Sequence, residues 1–283
     1  MTSAVTTAPL PSPSARSNPG SLRSAWRVFW NGGRMSYAAL FNWAHPSIYI
    51  PTLLGAPTFQ ILFFAALGSY ATGMDPAFFA IGNAVQICSM SGIYGMTMAV
   101  ANERWYGTLP NLLASPANRA ALFGGRFIPF IANGLLVSAY GFALSWIFLG
   151  VRFDLPTLGI IVLAMVVTAF SCSAIGAVQG GLSLRLRDGL FGANMLVFLF
   201  LLFCGVNIPL GALPDWMQAV SQVLPFTHGL AAVRAAIGGA GLADVGGLIL
   251  TELAVGVVYA LAAFFLFRWL ERSAYRSATL DVR

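Results

Sequence analysis

Residues 157–181 read TLGIIVLAMVVTAFSCSAIGAVQGG, without one charged side chain. At 1.5 Å per residue a helix of that length reaches about 37 Å, enough to cross about 30 Å of hydrocarbon. Five further apolar windows flank it, at about 50–70, 77–101, 127–149, 189–208 and 245–267, the last holding a single charged residue, Glu252, and the others none. Each is too long for an ordinary buried core helix, and the glycines and prolines inside them are of the kind that neighbouring helices tolerate in lipid. Composition agrees: 58% of the 283 residues are apolar, 8% are charged, and mean hydropathy is +0.78. That much hydrocarbon exceeds what one water-soluble core can bury. The expected fold is all-α and integral to a membrane, with six spans.

An even number of spans puts both termini on one side, and the basic residues choose it. All 15 are arginine. Arg16, Arg23, Arg27, Arg34, Arg104, Arg119, Arg126, Arg185, Arg187, Arg268, Arg272, Arg276 and Arg283 fall on the terminal side, against Arg152 and Arg234 on the other. The positive-inside rule places both termini in the cytoplasm. The net charge of +6 is then topology and attraction to anionic headgroups, with no nucleic-acid partner. The missing lysine excludes a phosphate-binding loop of the GxxxxGK[ST] type and Schiff-base chemistry. If ATP drives this protein, another chain binds it. Cys88, Cys172 and Cys204 lie far apart in apolar stretches and read as buried thiols, without the spacing of a disulfide framework or zinc site.

Residues 1–21, rich in Ser, Thr, Ala and Pro, read as a disordered cytoplasmic tail, residues 277–283 as a second cytoplasmic tail, and residues 22–276 as one transmembrane domain. Between Leu22 and Trp43 arginines alternate with Trp26, Phe29, Trp30 and Tyr37, a composition suited to an amphipathic helix in the membrane interface.

The loop after the second window reads Asn102-Glu103-Arg104-Trp105-Tyr106-Gly107-Thr108-Leu109-Pro110-Asn111-Leu112-Leu113-Ala114-Ser115-Pro116. Its acid suits a helix N-terminus, and Leu109, Leu112 and Leu113 share one face, so a short helix with an apolar ridge is expected here. Such a ridge can seat in a groove on a soluble partner and transmit a push. Glu103-Arg104, Gly107-Thr108-Leu109, Leu113 and Ser115-Pro116, followed by Arg126, resemble the motif of the ABC-2 type permeases, a family of drug, polysaccharide and lipid exporters. The resemblance implies that 103–115 is a coupling helix docking into a separate cytoplasmic ABC ATPase, present in two copies. It also implies a second permease copy or paralogue, ATP and Mg held by the ATPase subunit with no cofactor here, and the bacterial plasma membrane as location. The coupling residues it implies are Glu103, Arg104, Gly107, Thr108, Leu109, Leu112 and Leu113.

Between Asn207 and Val245 the chain is too long for a turn and too broken for a span. Trp216, Met217, Val220, Val223 and Leu224 supply an apolar face, followed by Leu224-Pro225-Phe226-Thr227-His228-Gly229 and Arg234. This resembles the stretch before the last span of the ABC-2 permeases, where it is an extracellular re-entrant helical hairpin; Trp216, Pro225, His228 and Arg234 mark it here. A lone His is satisfied locally more often than it binds metal. Arg234 is expected to pair with Asp215 or Asp244 or to contact lipid phosphate.

Polar residues inside spans face protein or a wet path. Asn83, Gln86 and Met90 on one face of the second window, with Asn194, Phe198 and Asn207 of the fifth, are the candidates for a path for an amphiphilic substrate; interhelical hydrogen bonding is the competing role for each amide. Glu252 is the one carboxylate deep in a predicted span. It reads as facing the bundle or a hydrated vestibule; in a proton-coupled secondary transporter, the alternative class, it would be the proton relay. No paired carboxylates, His cluster or Ser/His/Asp set converges, so no catalytic or metal-binding residue is assigned.

Overall fold

The computed structural model describes residues 26–27, 29–33, 46–107, 119–152, 154–186 and 188–277. Among the described residues from Pro46 onward the helices are α1 (Pro46–Thr72), α2 (Pro76–Trp105), α3 (Arg119–Leu149), α4 (Leu155–Leu186), α5 (Gly189–Phe203), α6 (Asp215–Val223), α7 (Thr227–Ile237) and α8 (Leu242–Ser277), with a 3₁₀ turn at Leu210–Ala212 before α6. Five of them contain segments long and apolar enough to cross a membrane: Leu54–Thr72, Pro76–Glu103, Gly124–Leu149, Leu155–Arg185 and Leu242–Leu270. The fifth expected window, 189–208, becomes a helix of 15 residues that stops at Phe203 and continues as bends through Ile208. At 1.5 Å per residue it reaches about 22 Å, short of a full crossing by itself.

α2 and α4 form the centre. In their most apolar windows 61% of the residues are buried, against 17% in α1 and 22% in α8. They run parallel, since Gly92 meets Ser173, Thr97 Oγ1 donates to Gly176 O at 3.0 Å and Gly180 meets Val100. Small residues allow this approach: a Cβ on Gly176 would lie 2.8 Å from Ile93 O and 2.9 Å from Gly92 O. α8 lies along the other side of α4 in the same direction, with Ser171 Oγ donating to Glu252 O and Gly181 against Leu266. α3 joins α2 through Ser138 Oγ donating to Ala84 O at 2.7 Å and Asn133 Nδ2 donating to Ser91 Oγ at 2.9 Å. Cys88, Cys172 and Cys204 are buried free thiols.

The bundle therefore has two ends. One carries residues 73–75, 150–152, 154 and 204–241, including Arg152 and Arg234; the other carries the C-termini of α2, α4 and α8 and the N-termini of α3 and α5. Residues 26–27 and 29–33 are helical, with Trp26 stacked on Phe29 and both tryptophans exposed. Gly33 and Phe29 abut Gly125, which lays this piece of the expected interfacial helix against the start of α3. The rest of the 22–43 segment and both tails lie outside the described residues.

Candidate functional site

At the end bearing residues 204–241, α6 and α7 form a helical pair folded onto the bundle. α6 opens after Pro214 and stops at Leu224; Pro225, which has no N–H to continue a helix, turns the chain, and α7 opens at Thr227. The turn reaches well inside. Tyr259 OH donates to Val223 O at 3.2 Å, and the Glu252 carboxylate accepts from Phe226 N at 2.7 Å and from Gly229 N at 3.1 Å. Glu252 and Tyr259 lie about 15 and 25 Å along α8 from Leu242. The first turn of α7 thus begins at depth, with two of its otherwise unpartnered N–H groups satisfied by the oxygens of a side-chain carboxyl. Phe226 adopts φ 91°, which costs a non-glycine residue about 1–3 kcal/mol and persists only where the surroundings enforce it. Here the N–H is held by Glu252 and the ring is stacked on Phe200 with centroids 5.8 Å apart. Gly229 sits against Thr168 of α4, where a Cβ would collide with the hydroxyl.

The other end of α7 is tied by a guanidinium. Arg234 donates to Gly205 O at 2.6 Å, Val206 O at 2.9 Å and Phe78 O at 3.1 Å, and its guanidinium lies 3.7 Å from the centre of the Phe78 ring. The expected partners Asp215 and Asp244 are not its ligands: Asp215 is exposed in the first turn of α6, and Asp244 accepts from Gly241 N. The reason is that α5 breaks at Gly205, φ +79°, leaving carbonyls inside the protein that a planar five-donor cation satisfies better than a carboxylate at the surface would be satisfied. His228 finds its partner locally, Nε2 lying 3.0 Å from Gln222 O; Trp216 is exposed with its ring edge-on to Phe203, and Pro225 is buried.

The amides separate into two groups. Gln60 Nε2 donates to Asn83 Oδ1 at 3.0 Å, and Asn83 Nδ2 donates to Asn207 Oδ1 at 2.8 Å and to Phe79 O. These bonds tie α1, α2 and the bends after α5 together next to the Arg234 clamp. Gln86 is fully buried; its Nε2 reaches only to 3.5 Å from Val197 O, and its Oε1 has no hydrogen-bond partner. Asn194 and Phe198 instead stand exposed on α5, one turn apart, with Phe191, Met195 and Leu202, and Met90 is half-buried. Tyr94 OH donates to Asn194 Oδ1 at 2.6 Å. So Asn83 and Asn207 meet, whereas Asn194 and Phe198 mark a different, open face.

At the opposite end Glu103 and Arg104 belong to the last turn of α2, not to the start of a new helix as expected. The left-handed Gly107, φ +67°, ends the helix after them. An acid in a last turn is disfavoured by the dipole, and Arg126 of α3 offsets it: its guanidinium donates to Glu103 Oε1 and to Ala99 O at 2.7 Å. Arg185 donates to Ser273 Oγ at 3.1 Å and lies 4.0 Å from the centre of the Trp269 ring, fastening α4 to α8. Thr108, Leu109, Leu112 and Leu113, and with them the apolar ridge of the coupling segment, lie outside the described residues. Among the described residues no group of His, Cys, Asp and Glu gathers at metal-binding distance.

The family model described as ABC-2 type transporter matches residues 25–237, which is most of the chain. The chain belongs to the ABC-2 type transporter family. Over 244 residues it is 26% identical to the probable doxorubicin resistance ABC transporter permease protein DrrC of Mycobacterium tuberculosis (strain ATCC 25618 / H37Rv), covering 78% of this chain and 82% of that one. Over 240 residues it is 25% identical to the daunorubicin resistance ABC transporter permease protein DrrB1 of Streptomyces coeruleorubidus, 82% of this chain and 84% of the relative. A third relative, the probable multidrug ABC transporter permease YbhR of Escherichia coli (strain K12), is 23% identical over 164 residues, 56% of this chain and 43% of its own; the chain spans less than half of that protein. The ABC-2 match ends at Ile237, before α8, so Glu252 lies beyond it. Sequence reasoning missed the role of this residue, although a signal was present: a lone intramembrane acid needs donors, and the Pro225 break frees N–H groups among apolar surroundings.

Proposed function

We propose that this ABC-2 chain is the membrane-spanning permease subunit of an ATP-driven exporter that moves amphiphilic, drug-like molecules toward the outer face of a bacterial plasma membrane. The observation that carries it is the family match over residues 25–237 on a sequence with no lysine, which leaves nucleotide binding, ATP and Mg included, to separate ATPase subunits, in two copies. The relatives named for doxorubicin, daunorubicin and multidrug resistance support a drug-like substrate over a glycan.

In this reading α5 is the sixth crossing element, completed by the bends at 204–208, and the arginine-rich end faces the cytoplasm together with both termini. The α6–α7 pair is a re-entrant hairpin on the outer side. Closure of the ATPases presses on 103–115; the Arg126 tie to Glu103 and Ala99 makes the ends of α2 and α3 respond as one body. The open face of α5, with Asn194 and the Tyr94 hydroxyl among Phe191, Met195 and Phe198, meets a second permease copy across the transport path, since an amide against lipid alone is costly. Aromatic and Met surfaces with a few amides suit a flexible amphiphile. The proton-coupled alternative drew on Glu252, whose two oxygens are engaged by backbone N–H groups.

Co-expression with the candidate ATPase tests the reading. The two chains should co-elute, the pair should extrude a fluorescent anthracycline from inverted vesicles only with ATP, and Gly107→Trp or Glu103→Arg should abolish both co-elution and ATP-driven transport. Transport by the chain alone, driven by a proton gradient, would refute it.

A further inference from the structure

We propose that Glu252 is a positioning residue that keys the α6–α7 turn to α8, so that the hairpin travels with α8 and α4 and parts from the bundle along its contact with α5. This deepens the export reading and rests on it for its functional consequence, but the attachment itself does not.

The contacts around the turn are of two kinds. Toward α8 they are directional: both Glu252 oxygens on the N–H groups of Phe226 and Gly229, and the Tyr259 hydroxyl on Val223 O. Glu252 is itself fixed, because Ser171 Oγ of α4 donates to its backbone carbonyl at 2.9 Å and Gly256, one turn on, lies against Ser171. Toward α5 the turn makes apolar or weak contacts: the Phe226 ring on Phe200, Trp216 edge-on to Phe203, and Cys204 Sγ at 4.0 Å from Pro225 O. Apolar rings slide and separate without leaving an orphaned polar group, whereas releasing a buried carboxylate from its donors strands both partners. The seam of lowest resistance is therefore Phe200 against Phe226, not Glu252 against the turn. Arg234 holds the far end of α7 to Gly205 and Val206 and serves as the pivot.

The assignment also sets what side chains can replace Glu252. Both its partners are donors, so an amide oxygen supplies part of the same service; a proton carrier tolerates no such substitution.

The test compares E252Q and E252L in the full chain in nanodiscs by hydrogen exchange, resolved at the amides of Phe226 and Gly229. Exchange should rise about tenfold in E252Q and more in E252L. In vesicles with the ATPase, E252Q should retain transport with about a threefold lower yield per ATP hydrolysed and an unchanged KM for ATP, a split that simple loss of folded protein does not produce. Should E252L fail to fold, E252Q alone decides. Unaltered exchange at both amides in E252Q would overturn the assignment, as would E252Q transport abolished as fully as by deletion of the ATPase while exchange stays at the native level. Absence of ATP-driven transport in the unmodified chain would sink the export reading while leaving the exchange result standing.

Discussion

Charged side chains serve opposite purposes at the two ends of this bundle. At the hairpin end the Glu252 carboxylate takes two backbone N–H donors, and Arg234 donates to three backbone carbonyls with its guanidinium over the Phe78 ring. At the arginine end Arg126 shares itself between Ala99 O and the Glu103 carboxylate, and Arg185 lies on Trp269 and Ser273. The first arrangement uses charge to finish helices that start and stop inside the protein, where water cannot do so. The second uses side chains to tie helix ends to one another, α2 to α3 and α4 to α8. Perturbation at the hairpin end should therefore cost stability first, and perturbation at the arginine end should cost coupling first.

Arg234→Leu is the strongest way to break that contrast. It leaves three carbonyls without their cation, and the expected destabilisation is about 4 kcal/mol, seen as a lower unfolding midpoint in mixed micelles or as loss of folded protein. Arg234→Lys, with one compact donor group in place of the fork, should recover only part of it. A cost below about 1 kcal/mol for the leucine variant would mean that the carbonyls find water, and the contrast would fail.

Gly82→Ala approaches the same clamp from the other side. A Cβ there collides with Val206 O and comes within 2.7 Å of Arg234 Nη2. Because Val206 O is backbone, the bends after α5 must shift, at an expected 1–3 kcal/mol, about the range of overpacking in a core. If Arg234→Leu is combined with it, the two effects should add to less than their sum, since the second change disturbs a clamp already lost.

At the arginine end, a double-mutant cycle on Glu103→Gln and Arg126→Gln should give a coupling of about 1–2 kcal/mol, as for contacting partners in one network, with the side chains 12% and 17% exposed. The larger consequence should appear in ATP-dependent transport, which ought to fall well before stability does. Equal losses in both measurements would erase the difference between the ends.

How far the sequence reached follows the same division. The five long helices were legible from long apolar runs with at most one charge, since only lipid accommodates such runs and only a helix satisfies their backbone. Residues 215–237 were legible as short broken helices, because Pro214 and Pro225 punctuate an apolar face. What escaped was pairing through backbone. Arg234 was matched to Asp215 and Asp244 because sequence displays carboxylates but not the carbonyls that Gly205 releases when α5 stops at Phe203. Glu103 was placed at a helix start because α2 runs on through Trp105, beyond the end of its apolar run. Asn83 and Asn207 were both named for a substrate path; the hydrogen bond between them needs the bends after α5 to return over α2, which no local pattern encodes.

The smallest expected effect lies on the rim of the hairpin end, and it tests whether a fully solvated charge there behaves as the buried ones do. Asp154 precedes α4, and its Oδ1 accepts from Thr157 N at 3.2 Å. Hydrogen bonding to Thr157 holds its carboxyl below the usual aspartate range. A carboxylate whose pKa is lower folded than unfolded contributes stability that is present above its unfolded pKa and lost as pH falls through the folded one. The unfolding midpoint of the native chain should therefore drop slightly as the medium is acidified below the ordinary aspartate range, and Asp154→Ala should remove that increment of acid sensitivity while leaving the midpoint at neutral pH only marginally lower. Water competes for the exposed cap, whereas Glu252 is fully buried and Arg234 is partly so, and the effect should stay far below that of Arg234→Leu. An acid response of comparable size in Asp154→Ala and the native chain would assign the sensitivity to other carboxylates and leave solvent exposure unsupported as the variable that separates the rim from the interior.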